Sequence, residues 1–174
     1  MTPLERLWNG WRATYVQSLG TADVPPGEGS IFTRILASDM SDDEANIVHR
    51  GATCFAILNA FPYGTGHVLV LPYREVADLE DLDPAETAEI WPTVTDAVRA
   101  IKSAYAPEGV NVGINLGRPA GGSISEHLHV HVVPRWTGDA NFMTAIANTR
   151  TLPEPLADTA VKLRAAWPSG AADA

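Results

Sequence analysis

A chain of 174 residues with 45% apolar and 19% charged side chains is composed like one soluble globular protein that can bury a real core. No apolar run approaches the roughly 20 residues that span a bilayer, and Met1 to Arg6 lacks the basic and apolar regions of a secretion signal. A net charge of −9 argues against broad affinity for nucleic acid or an anionic membrane. The lone cysteine, Cys54, cannot form an internal disulfide and sits in an apolar run as a small buried hydrophobe. These features point to the cytoplasm. A small anionic ligand stays admissible if its pocket supplies local positive charge, for which Arg118 and Arg135 are candidates.

In chain order, Leu4, Leu7, Trp8, Trp11 and Tyr15 mark one face of an amphipathic helix, with Thr2 and Pro3 suited to its start. Residues 19–30 read as a linker. Ser41-Asp42-Asp43-Glu44 suits a capped helical turn. Strands are expected near Ile47–Arg50 and Thr53–Asn59, parted by Gly51, and again over His67–Pro72 after a turn at 61–66. Asp83 and Pro84 open a helix whose buried face is Ile90, Val94, Val98, Ile101 and Tyr105; Pro92 inside it predicts a kink near Glu89–Trp91 or a split. Val110–Leu116 reads as a fourth strand, 117–125 as a glycine-rich loop, and His127–Pro134 as a fifth strand. Leu156, Ala160, Leu163 and Trp167 stripe a C-terminal helix, followed by a frayed tail. The sum is an α+β fold: about five antiparallel strands, one long central helix and helices at both ends. The expected organisation is an N-terminal helix and linker over 1–30, a main domain over 31–150, and a C-terminal helix and tail over 151–174.

The densest chemistry lies in His127-Leu-His129-Val-His131-Val-Val-Pro-Arg-Trp136. On an extended strand, side chains alternate between faces, so the three histidines share one face and Leu128, Val130 and Val132 the other. The apolar face anchors the strand and holds a row of imidazoles whose unperturbed pKa is about 6.5. Such a row suits nucleophilic attack, proton transfer or metal binding. Just upstream, Gly121, Gly122 and Ser123 offer backbone N–H groups, and the Ser123 hydroxyl and Asn115 amide add side-chain donors for a charged oxygen. Trp136 can stack on a nucleoside, although packing is the commoner role for a tryptophan at a strand end. Glu126 reads more simply as a solvated carboxylate, and Arg135 serves equally well as a surface ion pair or a phosphate contact.

Residues 127–133 resemble the signature of the histidine triad family, in which three histidines alternate with apolar residues. A second segment, Asn59-Ala-Phe-Pro-Tyr-Gly-Thr-Gly-His67-Val-Leu-Val, is similar to the family's earlier strand–turn–strand, and the likeness covers about residues 47–136. Within the family, the stretch from Asn115 to Trp136 looks like the branch of actinobacterial diadenosine tetraphosphate phosphorylases, which are similar in fold to the fragile histidine triad hydrolases. The resemblance implies a histidine triad fold and transfer of a nucleotidyl group through His129, forming a nucleotidyl-imidazole at the α-phosphorus. It implies that the His127 carbonyl orients His129, that His131 meets the α-phosphate, and that His67 supports the row. It places Asn59 at the ribose, and Phe55 and Ile57 are candidates for holding the base.

Phosphorolysis of diadenosine tetraphosphate to ATP and ADP is the leading expectation, with a dinucleoside polyphosphate hydrolase or a nucleoside phosphoramidase as alternatives. The expected partners are a small nucleotide substrate and inorganic phosphate, with no nucleic acid and no membrane, in a homodimer or larger homo-oligomer. No cofactor is required, and Mg²⁺ can ride on the substrate's phosphates. Two readings from other classes compete: a zinc site built on His-x-His, disfavoured by the absence of a cysteine pair, and a nucleotide sensor without turnover, disfavoured by the intact His129.

Overall fold

The computed structural model describes residues 27–139 and 154–169. The expected tryptophan-bearing N-terminal helix, the boundary at 150 and the tail beyond Ser169 lie outside them. The described chain opens where the sequence suggested the end of a linker. Ser30 instead caps a short helix, α1 (Ile31–Leu36), its side chain accepting the Thr33 N–H. The acidic segment forms α2 (Asp42–Ala45) with the full reciprocal capping box of Ser41 and Glu44. Asn46, left-handed at φ 56°, ends that turn and feeds the chain into the sheet.

The strands are β1 (Ile47–Arg50), β2 (Cys54–Leu58), β3 (Val68–Pro72), β4 (Gly109–Ile114) and β5 (Val130–Arg135). They form one antiparallel sheet in the order β1-β2-β3-β5-β4. Between β3 and β4 runs the long helix α3 (Pro84–Tyr105), and α4 (Leu156–Ala166) follows the last strand. The expected α+β architecture is therefore present.

The sheet is covered on both sides, which explains why β2 and β3 read as unbroken apolar runs rather than alternating ones: every residue in them is buried. Ala56, Leu58, Val68, Val70, Val130 and Val132 face α3 and α4 in one core. Phe55, Ile57, Leu69 and Leu71 face α1 in a second core with Phe32 and Ile47. Cys54 is buried against Thr93 of α3, and burial pushes its thiol up to about 11, so it behaves as the expected small hydrophobe.

Helix α3 starts as predicted, with Asp83 at the cap and Pro84 in the first turn, and Glu86 reaches back to complete a reciprocal capping box. Arg74 grips both carboxylate oxygens of the buried Glu86, at 3.1 and 2.7 Å, and ties the helix start to the end of β3. Pro92 does not split the helix, which runs unbroken for 22 residues. Pro92 lies on the exposed side, where water can meet the carbonyl that loses its N–H partner. One residue on, the Thr93 hydroxyl donates to the Glu89 carbonyl at 3.0 Å. The stripe on α4 is buried as expected: Ala160 and Leu163 enter the core, and Leu156 and Trp167 pack on it. Trp167 also stacks flat on His49 of β1, with centroids 4.8 Å apart.

Candidate active site

The histidine row begins slightly before the paired part of its strand. β5 opens at Val130, whereas His127 and His129 lie in the extended segment leading into it, held by the Leu128 N–H donating to the Val76 carbonyl at 2.7 Å. Alternation survives. Leu128, Val130 and Val132 enter the helix-side core, while the imidazoles stay on the face covered by α1. His129 and His131 line a cavity between that face, α1 and the 121–124 loop. His127 and His67 lie behind them, at 0% and 1% exposure.

Hydrogen bonds fix the protonation pattern. The Pro72 carbonyl, 2.9 Å from His127 Nε2, can only accept, so that nitrogen carries the proton. The His127 carbonyl lies 2.8 Å from His129 Nδ1, which by the same argument is an N–H. A neutral His129 therefore keeps its Nε2 lone pair. Burial pushes its pKa below the ordinary value, outweighing the opposite pull of the bond to the His127 carbonyl, so the neutral form persists at pH 7. His127 is likewise lowered by burial.

A second relay serves His131. The Tyr63 backbone N–H donates to His67 Nδ1 at 3.1 Å, so His67 Nε2 bears the hydrogen and donates to His131 Nδ1 at 3.0 Å. That leaves the hydrogen of a singly protonated His131 ring on Nε2, where the Asn115 side-chain amide, 3.3 Å away, meets it as an acceptor only when turned to present its oxygen. A bare nitrogen on His129 thus stands beside an N–H on His131, the rings 4.9 Å apart. That arrangement suits attack on phosphorus with a donor ready for a phosphoryl oxygen or a leaving group.

The remaining expected residues divide. Asn59 and Ser123 line the cavity. The Asn59 amide receives the Phe61 N–H at 2.9 Å and lies 3.4 Å from His67 Nδ1. Gly122 is closely packed: a Cβ there would stand 3.1 Å from both the Asn115 and Gly117 carbonyl oxygens, tight enough that the backbone around it would have to give. Its N–H donates to the Gly117 carbonyl at 3.3 Å, and Gly121's to Arg118 at 2.9 Å. Both glycine N–H groups thus have partners within the loop, which brings Gly121 and Ser123 to the cavity. Trp136 follows β5 beyond the residues that line the cavity. Of the base-holding candidates, Ile57 is in the wall, whereas Phe55 is fully buried and stacks on Tyr73. Arg135 is an ion pair, gripping Asp139 at 2.6 and 2.7 Å, and carries its charge away from the cavity. Glu126 is exposed.

Sequence reasoning missed the whole of α1. Ile31, Phe32 and Ile35 form the apolar wall opposite Ile57 and Leu69, and the Phe32 ring stands 5.5 and 5.6 Å from the rings of His127 and His129. The available signal was Ser30 followed by apolar residues at 31, 32, 35 and 36, a cap and a one-sided stripe too short to stand out beside a glycine- and proline-rich stretch. Among the described residues, no cluster of three or more His, Cys, Asp or Glu side chains is arranged to hold a metal ion, and no helix is long and apolar enough to cross a membrane.

Comparison with known proteins agrees with this geometry. The chain is 46% identical over 167 residues to AP-4-A phosphorylase of Mycobacterium tuberculosis, covering 94% of this chain and 85% of that one. It is 34% identical over 95 residues to the asymmetrical bis(5'-nucleosyl)-tetraphosphatase of Schizosaccharomyces pombe, covering 55% of this chain and 52% of the relative. Among solved structures, a HIT-like protein of Bartonella henselae aligns with TM-score 0.66 at 26% identity, over 80% of this chain and 97% of that one. A zinc-bound histidine triad protein of Mycobacterium smegmatis aligns with TM-score 0.64 at 29% identity, over 79% and 92%. Residues 41–138 match the HIT domain, and with the paired histidine relays inside that span, the chain belongs to the histidine triad family.

Proposed function

We propose that this protein is a nucleotidyl transferase that cleaves diadenosine tetraphosphate by phosphorolysis. The observation that carries the reading is His129 at the cavity wall, its Nδ1–H tied to the His127 carbonyl and its Nε2 lone pair available. In the first step Nε2 attacks the α-phosphorus, the bond to the bridging oxygen breaks, and ATP leaves with the electron pair. His131 Nε2–H stabilises the oxygen that gains charge. In the second step an oxygen of inorganic phosphate attacks the adenylyl-imidazole, releasing ADP and restoring His129. Each displacement is easier than the single one it replaces.

The apolar wall of Ile31, Phe32, Ile35 and Ile57 is suited to an adenine ring. Asn59, with one donor and one acceptor used within the protein, retains another of each for ribose hydroxyls. Ser123 is the donor that the 121–124 loop offers to the phosphates, and Mg²⁺ can accompany them. The 46% identity to a protein named as a phosphorylase favours phosphate over water in the second step. Hydrolysis is the second reading, supported by the weaker match to a tetraphosphatase.

Incubation with diadenosine tetraphosphate, with and without inorganic phosphate, separates the two, with His129→Ala as control. ATP plus ADP formed only with phosphate is the expected result. ATP plus AMP without phosphate makes the protein a hydrolase. We further propose that it acts in the cytoplasm as a homodimer. The sheet ends at β4, where Val112 and Leu116 are 45% and 41% exposed, an edge suited to a second copy. A stable monomer by gel filtration with light scattering contradicts the dimer.

A further inference from the structure

The ring of His127 is held on both sides, and the second holder lies on the helix that sequence reading missed. Opposite Pro72, Ser30 Oγ stands 2.7 Å from His127 Nδ1 across a separation of 97 residues. Because His127 Nε2 must donate to Pro72, the neutral ring can only accept at Nδ1, so the Ser30 hydroxyl donates. Ser30 Oγ accepts from the Thr33 N–H at 3.2 Å and lies 3.1 Å from the Thr33 hydroxyl oxygen, whose own hydrogen is given to Glu75 at 2.6 Å. The shorter contact to the His127 lone pair takes the Ser30 hydrogen, because two lone pairs would otherwise face each other at 2.7 Å.

Glu75 also receives the Ser30 backbone N–H at 2.7 Å. The Thr33 hydroxyl and then the Ser30 N–H hold its carboxyl below the usual range, keeping it ionised. Room for the carboxylate comes from Gly29, at φ 84°, where an added Cβ would stand 2.6 Å from Glu75 Oε2. Ser30 itself is 1% exposed, so its polar atoms are committed inside the protein.

We infer that Ser30, anchored by Glu75 through its own N–H and through Thr33, is a positioning residue for the nucleophile: it holds the His127 ring against the Pro72 carbonyl and thereby sets the backbone carbonyl that orients His129. The inference rests on His129 as the attacking group. The chain of contacts runs from Glu75 to Ser30, to the His127 ring, through the His127 backbone to its carbonyl, and on to His129 Nδ1. Phe32, two residues after Ser30 on the same six-residue helix, lies against both rings. Helix α1 is therefore at once the wall of the cavity and the brace of the histidines.

The test separates the hydroxyl from the cap. Ser30→Gly removes the hydroxyl but leaves a residue that is well accepted at a helix cap, while Ser30→Thr keeps both hydroxyl and cap. In Ser30→Gly, kcat falls by roughly tenfold or more while KM changes less than about threefold, because ground-state binding surfaces are untouched. Ser30→Thr restores kcat to within about threefold of the parent. Donation from Ser30 stabilises only the neutral ring, so in Ser30→Gly His127 gains a proton at higher pH and the acid limb of the kcat profile moves upward. The charges acting on that ring, Glu75, Glu126 and His129, are the same in both variants.

Nitrogen-15 NMR of histidine-labelled protein reads the same point without substrate. The parent shows His127 protonated at Nε2 and His129 at Nδ1; in Ser30→Gly the backbone carbonyls still select those forms, but the His127 Nδ1 resonance moves to that of a nitrogen without a donor and the His129 Nδ1 signal shifts as its carbonyl partner is displaced. An unchanged His129 Nδ1 signal in Ser30→Gly overturns the inference, whatever the turnover. A His129 Nδ1 signal displaced in Ser30→Gly, in a protein that forms no product from dinucleoside polyphosphates, overturns the proposed reaction and leaves the brace standing.

Discussion

His129 shows how little separates a nucleophile from a buried structural histidine: one carbonyl decides which nitrogen bears the proton, and burial decides that there is only one proton. Because burial lowers its pKa, activity at the acid end falls only as pH drops below the ordinary histidine value of about 6.5, where the ring gains a proton and loses its lone pair. The kcat/KM profile for diadenosine tetraphosphate is therefore expected to keep its plateau to pH values below 6.5; an acid limb above about 7 contradicts a neutral, buried nucleophile. Ser123 supplies a second prediction at this scale. If its hydroxyl meets the phosphoryl oxygens, one pre-aligned donor is worth about 2.7–4 kcal/mol, and Ser123→Ala lowers kcat on the order of a hundredfold with little change in thermal midpoint. An equal loss in folding stability makes its role structural instead.

At the scale of elements, α3 and α4 form the rigid layer that holds the sheet from behind, and they respond oppositely to substitution. Pro92 sits in the middle of α3 with no N–H to give the Ala88 carbonyl, so Pro92→Ala supplies that donor and is expected to raise unfolding stability by up to about 3 kcal/mol, read from the urea midpoint, with turnover unchanged. Leu163 of α4 is fully buried among the α3 and sheet side chains, and Leu163→Ala is expected to cost about 2–5 kcal/mol. Arg164 beside it donates to the Ile47 carbonyl at 2.9 Å and the Asp42 carbonyl at 2.8 Å, joining α4 to the start of β1. The long elements were legible because their patterns are long: Asp83, Pro84 and the Ile90, Val94, Ile101 stripe specify α3 unaided. Helix α1 was not legible, because six residues carry less than two turns of pattern and form only when Phe32 has a core to enter.

Across the whole molecule, three histidines from different places, His49, His127 and His129, are pushed down in pKa, in each case first by burial. The unfolded chain takes up protons on these rings near pH 6.5 while the folded chain resists them, so stability is full above that value and declines as pH falls through it. The thermal midpoint is expected to drop between pH 7 and pH 5, before the carboxylates of Glu75 and Asp139, both held below their usual range, begin to protonate. A flat midpoint over that window contradicts the histidine contribution.

The sequence by itself determined the succession of strands along the chain, the long helix and the shared face of His127, His129 and His131, while its resemblance to the histidine triad family pointed to Asn59 and His67. Each of these depends on local periodicity or on a motif of contiguous residues. Only the tertiary structure decided that Ser30 and Glu75 brace the first histidine, that Arg135 is spent on Asp139, that Phe55 belongs to the core, and that Gly121 and Gly122 use their N–H groups within their own loop. Those outcomes depend on which polar groups meet across tens of residues, and a hydrogen bond spanning 97 positions leaves no periodic trace in the chain that makes it.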